Sequence, residues 1–333
     1  MQRSRFCLGA FALLSLLISA CGGESQTAGA PKAEAKFVRV NGVRLQYLDW
    51  GGTGDGLVFI HGLGDSPHAF DDIAPAFRDR FHVIAYARRG HGRSEARGPY
   101  DHSTLVEDLR QLLDSLGIRR TVLAGWSLGG NEMSEFAVLH PDRVAGLVYL
   151  ECYDLGDPAF ARLFEHFPVN FNAAHSDLAS FAAFRSWWKR TSAPDAPFTP
   201  AMEAEIADLV DTRPDGSVRV VTNDSISTAL FAGAMAYRPR YALIKAPILA
   251  LWGHWYRGGL IPASAPDSLR QKVARYLRDD ARPFQDSTIA RLRAAAPSAR
   301  IVVLDSAGHG AFPFQNRDTI VAEMRGFLIA RPN

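Results

Sequence analysis

The five residues Gly125-Trp126-Ser127-Leu128-Gly129 decide the fold of this 333-residue chain. They follow the apolar run from Thr121 to Ala124 directly, and they precede a segment with the pattern of a helix. A strand, a sharp turn and a helix in this order can hold a serine hydroxyl out at the end of the strand. Glycine at both flanks lets the backbone segments approach closely. The pentapeptide therefore predicts such a turn, with Ser127 at its tip.

Short apolar runs alternate with helical patterns on both sides of this turn. The predicted strands are 37–40, 43–48, 57–60, 81–86, 121–124, 147–150, 248–252 and 300–304, and the predicted helices are 68–77, 102–116, 128–140 and 319–330. Asn41-Gly42 predicts a tight hairpin turn between the first two strands. The alternation predicts an α/β fold with a mostly parallel sheet and helices on both faces, whose sites lie at the carboxyl ends of the strands.

The pattern changes after Glu151. Residues 154–242 hold no strong strand pattern and several short helical patterns, with helix-breaking prolines at 168, 194, 197, 200 and 214. We expect a helical cap inserted into a core made of residues 37–153 and 243–333. Ligand pockets favour apolar linings, so we expect the aromatic residues of the insertion to line one; they are Phe160, Phe164, Phe167, Phe171, Phe181, Phe184, Trp187 and Trp188. For the two tryptophans, a packed helix face is an equally good interpretation.

The N-terminus has the pattern of an export signal in residues 1–20. Arg3 and Arg5 precede an apolar stretch that ends at Ile18-Ser19-Ala20-Cys21, which is short for a membrane-spanning helix. The stretch resembles a bacterial lipobox, which implies lipidation of Cys21. Residues 21–36 have too few large apolar residues to fold, so we expect a flexible tether there. Gly22 is not the aspartate of an inner-membrane signal, so we expect an anchor in the outer membrane, facing the periplasm or the exterior. The alternative is an ordinary cleaved signal peptide in which Cys21 has no role.

Three motifs together make the chain resemble the α/β-hydrolase superfamily from residue 37 to 331. They are His61-Gly62-Leu63-Gly64-Asp65 after the third predicted strand, the turn at 125–129, and Ser306-Ala307-Gly308-His309-Gly310 after the last. A weaker fourth mark is the stretch from Arg88 to Ser94. The resemblance implies an eight-stranded hydrolase sheet and a chain order of serine, acid and histidine.

Ser127 is the candidate nucleophile, and His309 is the candidate base that a serine hydroxyl needs. Many members of the superfamily place the acid after the seventh strand, but Gly253-His254-Trp255-Tyr256 carries no carboxylate there. Some haloalkane dehalogenases and zearalenone-type lactonases carry a glutamate after the sixth strand instead. Glu151, 24 residues after Ser127, matches that spacing. Asp154 and Asp267 remain open as alternatives, as does a purely structural role for Glu151.

The resemblance also implies an oxyanion hole made of the backbone N–H groups of Leu63 and Leu128, since two donors must point to the developing negative charge. His61 is better interpreted as a residue that braces its loop, and Cys152 as a small buried apolar residue. His254 alone is weak evidence for a metal. No metal-binding or phosphate-binding motif occurs, so we expect neither a metal nor a cofactor.

Serine at the turn distinguishes the chain from dehalogenases and epoxide hydrolases of this fold, which use aspartate. It favours an acyl-enzyme, and hence hydrolysis of a small or medium apolar ester or lactone. Hydrolysis of a C–C bond, cofactor-free perhydrolase chemistry on the same residues, and a non-catalytic ligand-binding lipoprotein are the alternatives. The net charge of +2 and the absence of a basic run argue against nucleic acid as a partner.

Overall fold

A sheet of eight strands organises the computed structural model, which describes residues 32–167, 173–193, 196–253, 261, 265–304 and 308–329. The strands in chain order are β1 Glu34–Val40, β2 Val43–Gly51, β3 Gly56–Ile60, β4 His82–Tyr86, β5 Thr121–Trp126, β6 Val144–Leu150, β7 Val210–Thr212, β8 Val218–Val220, β9 Ile248–Trp252 and β10 Arg300–Val303. The main sheet has the order β1-β2-β4-β3-β5-β6-β9-β10, and β7 and β8 form a separate hairpin. β2 pairs antiparallel with β1 and β4, and all other pairs in the main sheet are parallel.

The helices connect these strands and cover them. They are α1 His102–Ser115, α2 Gly129–Leu139, α3 Pro158–Glu165, α4 Phe181–Ser192, α5 Pro200–Leu209, α6 Asp224–Met235, α7 Asp267–Tyr276, α8 Arg282–Ala295, α9 Phe312–Gln315 and α10 Arg317–Ile329. Helix α1 begins where the Asp101 carboxylate accepts the N–H of Thr104, and the chain leaves it through Gly117, whose φ is +68°. A side-chain acceptor at the start and a left-handed glycine at the end are common helix boundaries.

Each face of the sheet has its own buried core, because successive side chains of a strand point to opposite faces. On β3, Val58 and Ile60 pack into the core beneath α1, α2 and α8, whereas Leu57 and Phe59 pack into the core beneath α10. All four are fully buried. Burial of such a side chain stabilises the fold by about 1.5–3 kcal/mol relative to exposure. The continuous apolar runs of the central strands thus follow from two covered faces.

The sequence pattern predicted the main sheet correctly, including the Asn41-Gly42 turn, where both residues have positive φ. Two expectations were wrong in detail. The helix expected over 68–77 is two short 3-10 turns, Pro67–Phe70 and Ala74–Phe77, with Pro75 in the first turn of the second. The insertion, expected to lack strands, contains the β7–β8 hairpin around a left-handed Gly216. Its three-residue strands are too short for an alternating pattern to stand out.

The insertion between β6 and β9 carries α3 to α6 and the hairpin, and much of its apolar surface packs on itself. Phe184 and Trp188 of α4 are buried with Met202 and Ile206 of α5. This is the packed helix face that the tryptophan pattern also allowed. The side chain of Phe164 and all of Cys21, Phe171, His254, Trp255, Tyr256, Ser306 and Ala307 lie outside the described residues. Among the helices that the structure describes, none is long and apolar enough to span a membrane.

Candidate active site

Ser127 occupies a strained turn between β5 and α2. Its φ is +52°, in the left-handed region that non-glycine residues rarely adopt. A Cβ added to Gly125 would lie 2.6 Å from the carbonyl carbon of Gly129, and one added to Gly129 would lie 2.4 Å from the carbonyl oxygen of Ile60. Both glycines are therefore required by close backbone contacts, and the turn holds the serine at the carboxyl end of β5.

His309 lies within hydrogen-bonding distance of both Ser127 and Glu151. It follows β10 and begins the 3-10 turn His309–Ala311. Its Nε2 is 2.9 Å from Ser127 Oγ, and its Nδ1 is 3.1 Å from Glu151 Oε2. The structure thus brings three of the candidate residues into one hydrogen-bonded chain.

Glu151 directly follows β6 and is fully buried. Its φ is +51°, and its N–H donates to the Leu251 carbonyl at 2.8 Å. Besides His309, the N–H of Gly253 donates to Oε1, and the hydroxyl of Tyr153 donates to Oε2 at 2.9 Å. A buried carboxylate needs such donors, because without them its desolvation is costly. These bonds engage both oxygens of the buried Glu151 side chain.

The Glu151 carboxylate determines the tautomer of His309. Since a carboxylate only accepts hydrogen bonds, Nδ1 carries the proton, and Nε2 is left with a lone pair that accepts the Ser127 hydroxyl. This arrangement of acid, imidazole and hydroxyl can remove a proton from serine and stabilise the imidazolium that forms.

The two alternative acids have arginine partners instead. Asp154 is buried and paired with Arg238 at 2.7 Å, and burial raises its pKa while Arg238 opposes the rise. Asp267 begins α7 with 78% of its side chain exposed and is paired with Arg270. Of the three carboxylates weighed from the sequence, Glu151 is the one bonded to His309.

The backbone N–H groups of Leu63 and Leu128 donate to no protein acceptor within the described residues. Leu128 directly precedes α2, and Leu63 follows a glycine that lies against the nucleophile. A Cβ on Gly62 would come within 3.3 Å of the Ser127 Cβ. Both donors thus belong to segments that border Ser127.

His61 braces its loop, as the sequence indicated. It is fully buried, and its Nε2 accepts the N–H of Arg88 at 3.2 Å. Burial and the charge of Arg88 hold the pKa of His61 well below its ordinary value, so the ring is neutral. It holds the loop through hydrogen bonds, and among the described residues none of them goes to Ser127.

Trp126 and Cys152 are the chain neighbours of Ser127 and Glu151. Trp126 is buried beside the site, with its ring 6.2 Å from that of His309. Cys152 is buried as predicted, and its thiol donates to the Gly125 carbonyl at 3.0 Å. A Cβ on Gly130 would lie 2.5 Å from the Sγ of Cys152, so the turn after β5 packs directly on the turn after β6.

Sequence reasoning missed three residues near the site. Tyr153 donates to Glu151, and Gln285 of α8 donates to the Tyr153 hydroxyl at 3.2 Å. Asp65 lies against Gly62, since a Cβ there would meet its Oδ2 at 2.4 Å. Burial raises the pKa of Asp65 to about 7, and Arg88 opposes that rise. Asp65 could have been found from its place in the motif after β3, whereas nothing in the local sequence marks Gln285.

No group of three or more histidine, cysteine, aspartate or glutamate side chains is arranged to hold a metal ion within the described ranges. The Glu151 carboxylate is engaged by hydrogen bonds from Gly253, Tyr153 and His309. The chemistry that the arrangement supports is proton transfer and nucleophilic attack by side chains.

Comparisons with known proteins concern the family and the fold of this chain. The sequence model of the alpha/beta hydrolase family matches residues 57–323. A protein named as a non-heme haloperoxidase from Mycobacterium phage D29 is 32% identical over 230 residues, which are 68% of this chain and 74% of that protein. Epoxide hydrolase A from Mycobacterium tuberculosis is 36% identical over 127 residues, 37% of this chain and 39% of that protein. The crystal structure of E-2-(acetamidomethylene)succinate hydrolase superposes with a TM-score of 0.68 at 19% identity, covering 90% of this chain and all of that one.

Proposed function

We propose that this chain, which belongs to the alpha/beta hydrolase family, hydrolyses small or medium apolar carboxylic esters or lactones. The observation that supports the proposal is the hydrogen-bonded chain from Ser127 through His309 to Glu151. A serine hydroxyl at the turn favours an acyl-enzyme, because its attack on a carbonyl carbon yields an ester that water can cleave.

In the first step, Ser127 Oγ attacks the carbonyl carbon of the substrate while His309 Nε2 takes the hydroxyl proton. The tetrahedral intermediate collapses, the alkoxide leaves, and His309 returns the proton to it. A water molecule then attacks the acyl-enzyme with His309 again as base, and the carboxylic acid leaves as Ser127 regains its proton. Glu151 keeps the tautomer and stabilises the imidazolium throughout.

The negative charge of the intermediate develops on the former carbonyl oxygen. We assign its stabilisation to the N–H groups of Leu63 and Leu128, which have no other acceptor in the described part of the chain. Loss of one such donor typically lowers turnover by about 100- to 1000-fold.

The proposal is tested with p-nitrophenyl butyrate and a panel of simple lactones on purified protein lacking residues 1–21. We expect Ser127→Ala to lower kcat by a factor on the order of 10⁴ or more. A fluorophosphonate probe should label wild type at Ser127 and leave the variant unlabelled. Equal turnover by both proteins, or labelling at another residue, would contradict the proposal.

A second candidate is perhydrolase activity on the same residues, favoured by the similarity to the protein named as a haloperoxidase. Hydrogen peroxide would replace water in the attack on the acyl-enzyme, and a peroxy acid would leave. Incubation with acetate and hydrogen peroxide should then yield peracetic acid in wild type and none with Ser127→Ala. The ratio of peracid formation to ester hydrolysis decides between the two functions.

We further propose that the protein is anchored to a bacterial membrane through a lipid on Cys21. The support is the sequence alone: Arg3 and Arg5, the apolar stretch and the residues Ile18 to Cys21. Cys21→Ser should move the protein from the membrane to the soluble fraction of cells that express the full chain. Continued membrane retention of the variant would contradict the anchor.

A further inference from the structure

We propose that Arg88, held by Glu132, is a positioning residue that aims and polarises the Gly62–Leu63 peptide as an oxyanion donor. The inference rests on the proposed function, because it assigns a role within the same site. We assign contact with the oxyanion to the Gly62–Leu63 peptide, and Arg88 acts through that peptide.

The guanidinium of Arg88 donates hydrogen bonds to two successive carbonyl groups of the loop. Its Nη2 donates to the His61 carbonyl, and its Nη1 donates to the Gly62 carbonyl at 3.1 Å. Arg88 is only 1% exposed. Hydrogen bonds from a charged donor in such a buried place are about twice as strong as neutral ones.

His61 adds a second donor to the same carbonyl. Because His61 Nε2 accepts the N–H of Arg88, its proton must reside on Nδ1, which lies 2.7 Å from the Gly62 carbonyl oxygen. The Gly62 carbonyl therefore accepts from both an arginine and a histidine, which satisfies its two lone pairs.

The peptide between Gly62 and Leu63 connects these hydrogen bonds to the direction of the Leu63 N–H. A trans peptide is planar, so its C=O and N–H point in opposite directions. Holding the carbonyl of Gly62 on the buried side thus aims the N–H of Leu63 the other way. Donors on the carbonyl also polarise the whole unit, since hydrogen bonds in a chain strengthen one another by roughly 10–30% each.

Glu132 connects Arg88 to α2, the helix that follows the nucleophile. Its Oε2 accepts from Arg88 Nε at 2.6 Å, and its other oxygen accepts the Tyr86 hydroxyl. Glu132 lies in the first turn of α2, five residues after Ser127. The ion pair therefore links the loop of Leu63 to the helix start at Leu128, so that both proposed donors keep one relative position.

Arg89 provides a matched control one residue along the chain. It is equally buried, and its Nε and Nη2 each donate to Asp108 at 2.6 Å. Its remaining bonds go to the carbonyls of Arg97, Pro99 and Asn41. In the described part of the chain the Arg89 side chain makes no bond to the loop of Leu63, so its replacement by lysine alters a buried ion pair without touching that peptide.

The experiment compares Arg88→Lys with Arg89→Lys, since lysine keeps the charge and loses the fork that bonds two carbonyls. With p-nitrophenyl butyrate, Arg88→Lys should lower kcat about 10- to 100-fold with KM within about twofold, because the oxyanion forms only in the transition state. The affinity for a trifluoromethyl ketone, which forms an oxyanion on Ser127, should fall by a similar factor. The affinity for butyrate, the product, should not change.

Arg89→Lys should leave both kcat and the affinity for the ketone within about twofold of wild type. Equal losses in the two lysine variants, or an unchanged kcat in Arg88→Lys, would overturn the inference. If Arg88→Lys does not fold, Glu132→Gln is measured in its place. A lower kcat at constant KM in that variant supports the inference, and an unchanged kcat overturns it. Ser127→Ala is measured alongside, since hydrolysis that survives it would refute the proposed function instead.

Discussion

Two neighbouring strands, β5 and β6, end in turns with nearly the same backbone angle and very different sequences. Ser127 has a φ of +52° and Glu151 a φ of +51°. The first turn is flanked by Gly125 and Gly129, whose missing side chains make room for backbone contacts. The second, Leu150-Glu151-Cys152, contains no glycine at all.

The difference shows two ways of holding a strained residue. A non-glycine residue in the left-handed region costs about 1–2 kcal/mol, which its surroundings must offset. At Ser127 the local sequence removes the steric obstacles. At Glu151 hydrogen bonds offset the cost instead: its N–H donates to the Leu251 carbonyl, and its carboxylate accepts from the Gly253 N–H and the Tyr153 hydroxyl. The first turn is therefore recognisable from its own residues, whereas the residues next to Glu151 do not mark the second.

The largest expected effect comes from the charge at the second turn. Glu151→Gln keeps the shape of the side chain but removes the carboxylate that holds Nδ1–H of His309. We expect kcat for p-nitrophenyl butyrate to fall about 10³- to 10⁴-fold with little change in KM. Asp267→Asn, at an exposed carboxylate bonded to Arg270, should have no effect on kcat. A kcat of Glu151→Gln within about threefold of wild type would remove Glu151 from the mechanism.

The next effect tests the steric basis of the first turn. Gly129→Ala would bring a Cβ to 2.4 Å from the Ile60 carbonyl oxygen, so the backbone must move. We expect about 1–3 kcal/mol of lost stability in chemical unfolding, and about 100-fold lower kcat from the displaced serine. The control is Gly326→Ala in α10, where nothing lies within 4 Å of the new Cβ. There the free energy of unfolding should rise by about 0.5–1 kcal/mol, and equal behaviour of the two variants would refute the steric account.

The smallest effect tests whether the bonds of the second turn serve catalysis as well as folding. Tyr153→Phe keeps the ring beside Phe284, 5.6 Å away between centroids, and removes the donor to Glu151. The free energy of unfolding should fall by about 1.5–3 kcal/mol, as for other bonds to charged groups. We expect kcat to fall about tenfold at constant KM, measured with the same ester. A loss of stability without a change in kcat would show that Tyr153 only supports the turn.

Much of the fold followed from the sequence because its determinants are local. Apolar strands, the Asn41-Gly42 turn and the glycines around Ser127 act on their immediate neighbours, so their pattern is visible along the chain. The helix expected over 68–77 failed for a local reason that the periodicity did not weigh, since Pro75 interrupts it. The β7–β8 hairpin was missed because three-residue strands carry too little pattern.

The candidate site also contains residues that the local sequence marks and residues that it does not. Ser127 and His309 stand in glycine-rich turns after strands, so their positions could be predicted. Glu151 was predicted because no carboxylate directly follows β9 and because some relatives carry a glutamate after the sixth strand. It lies directly after β6, where that reasoning expected it. Tyr153 and Gln285 are 132 residues apart and meet only in the folded chain. Contacts of that kind cannot be predicted from a single sequence, and neither can the hydrogen bond from Arg88 to the Gly62 carbonyl.

The contact between Gly130 and Cys152 makes the two turns sterically interdependent. A Cβ added at 130 would lie 2.5 Å from both the Cβ and the Sγ of Cys152. Removing the thiol alone therefore does not make room at 130, because the Cβ of residue 152 remains in the way. The residue after the acid and the residue after the second glycine of the serine turn thus form one steric unit, although the two turns are separate in sequence.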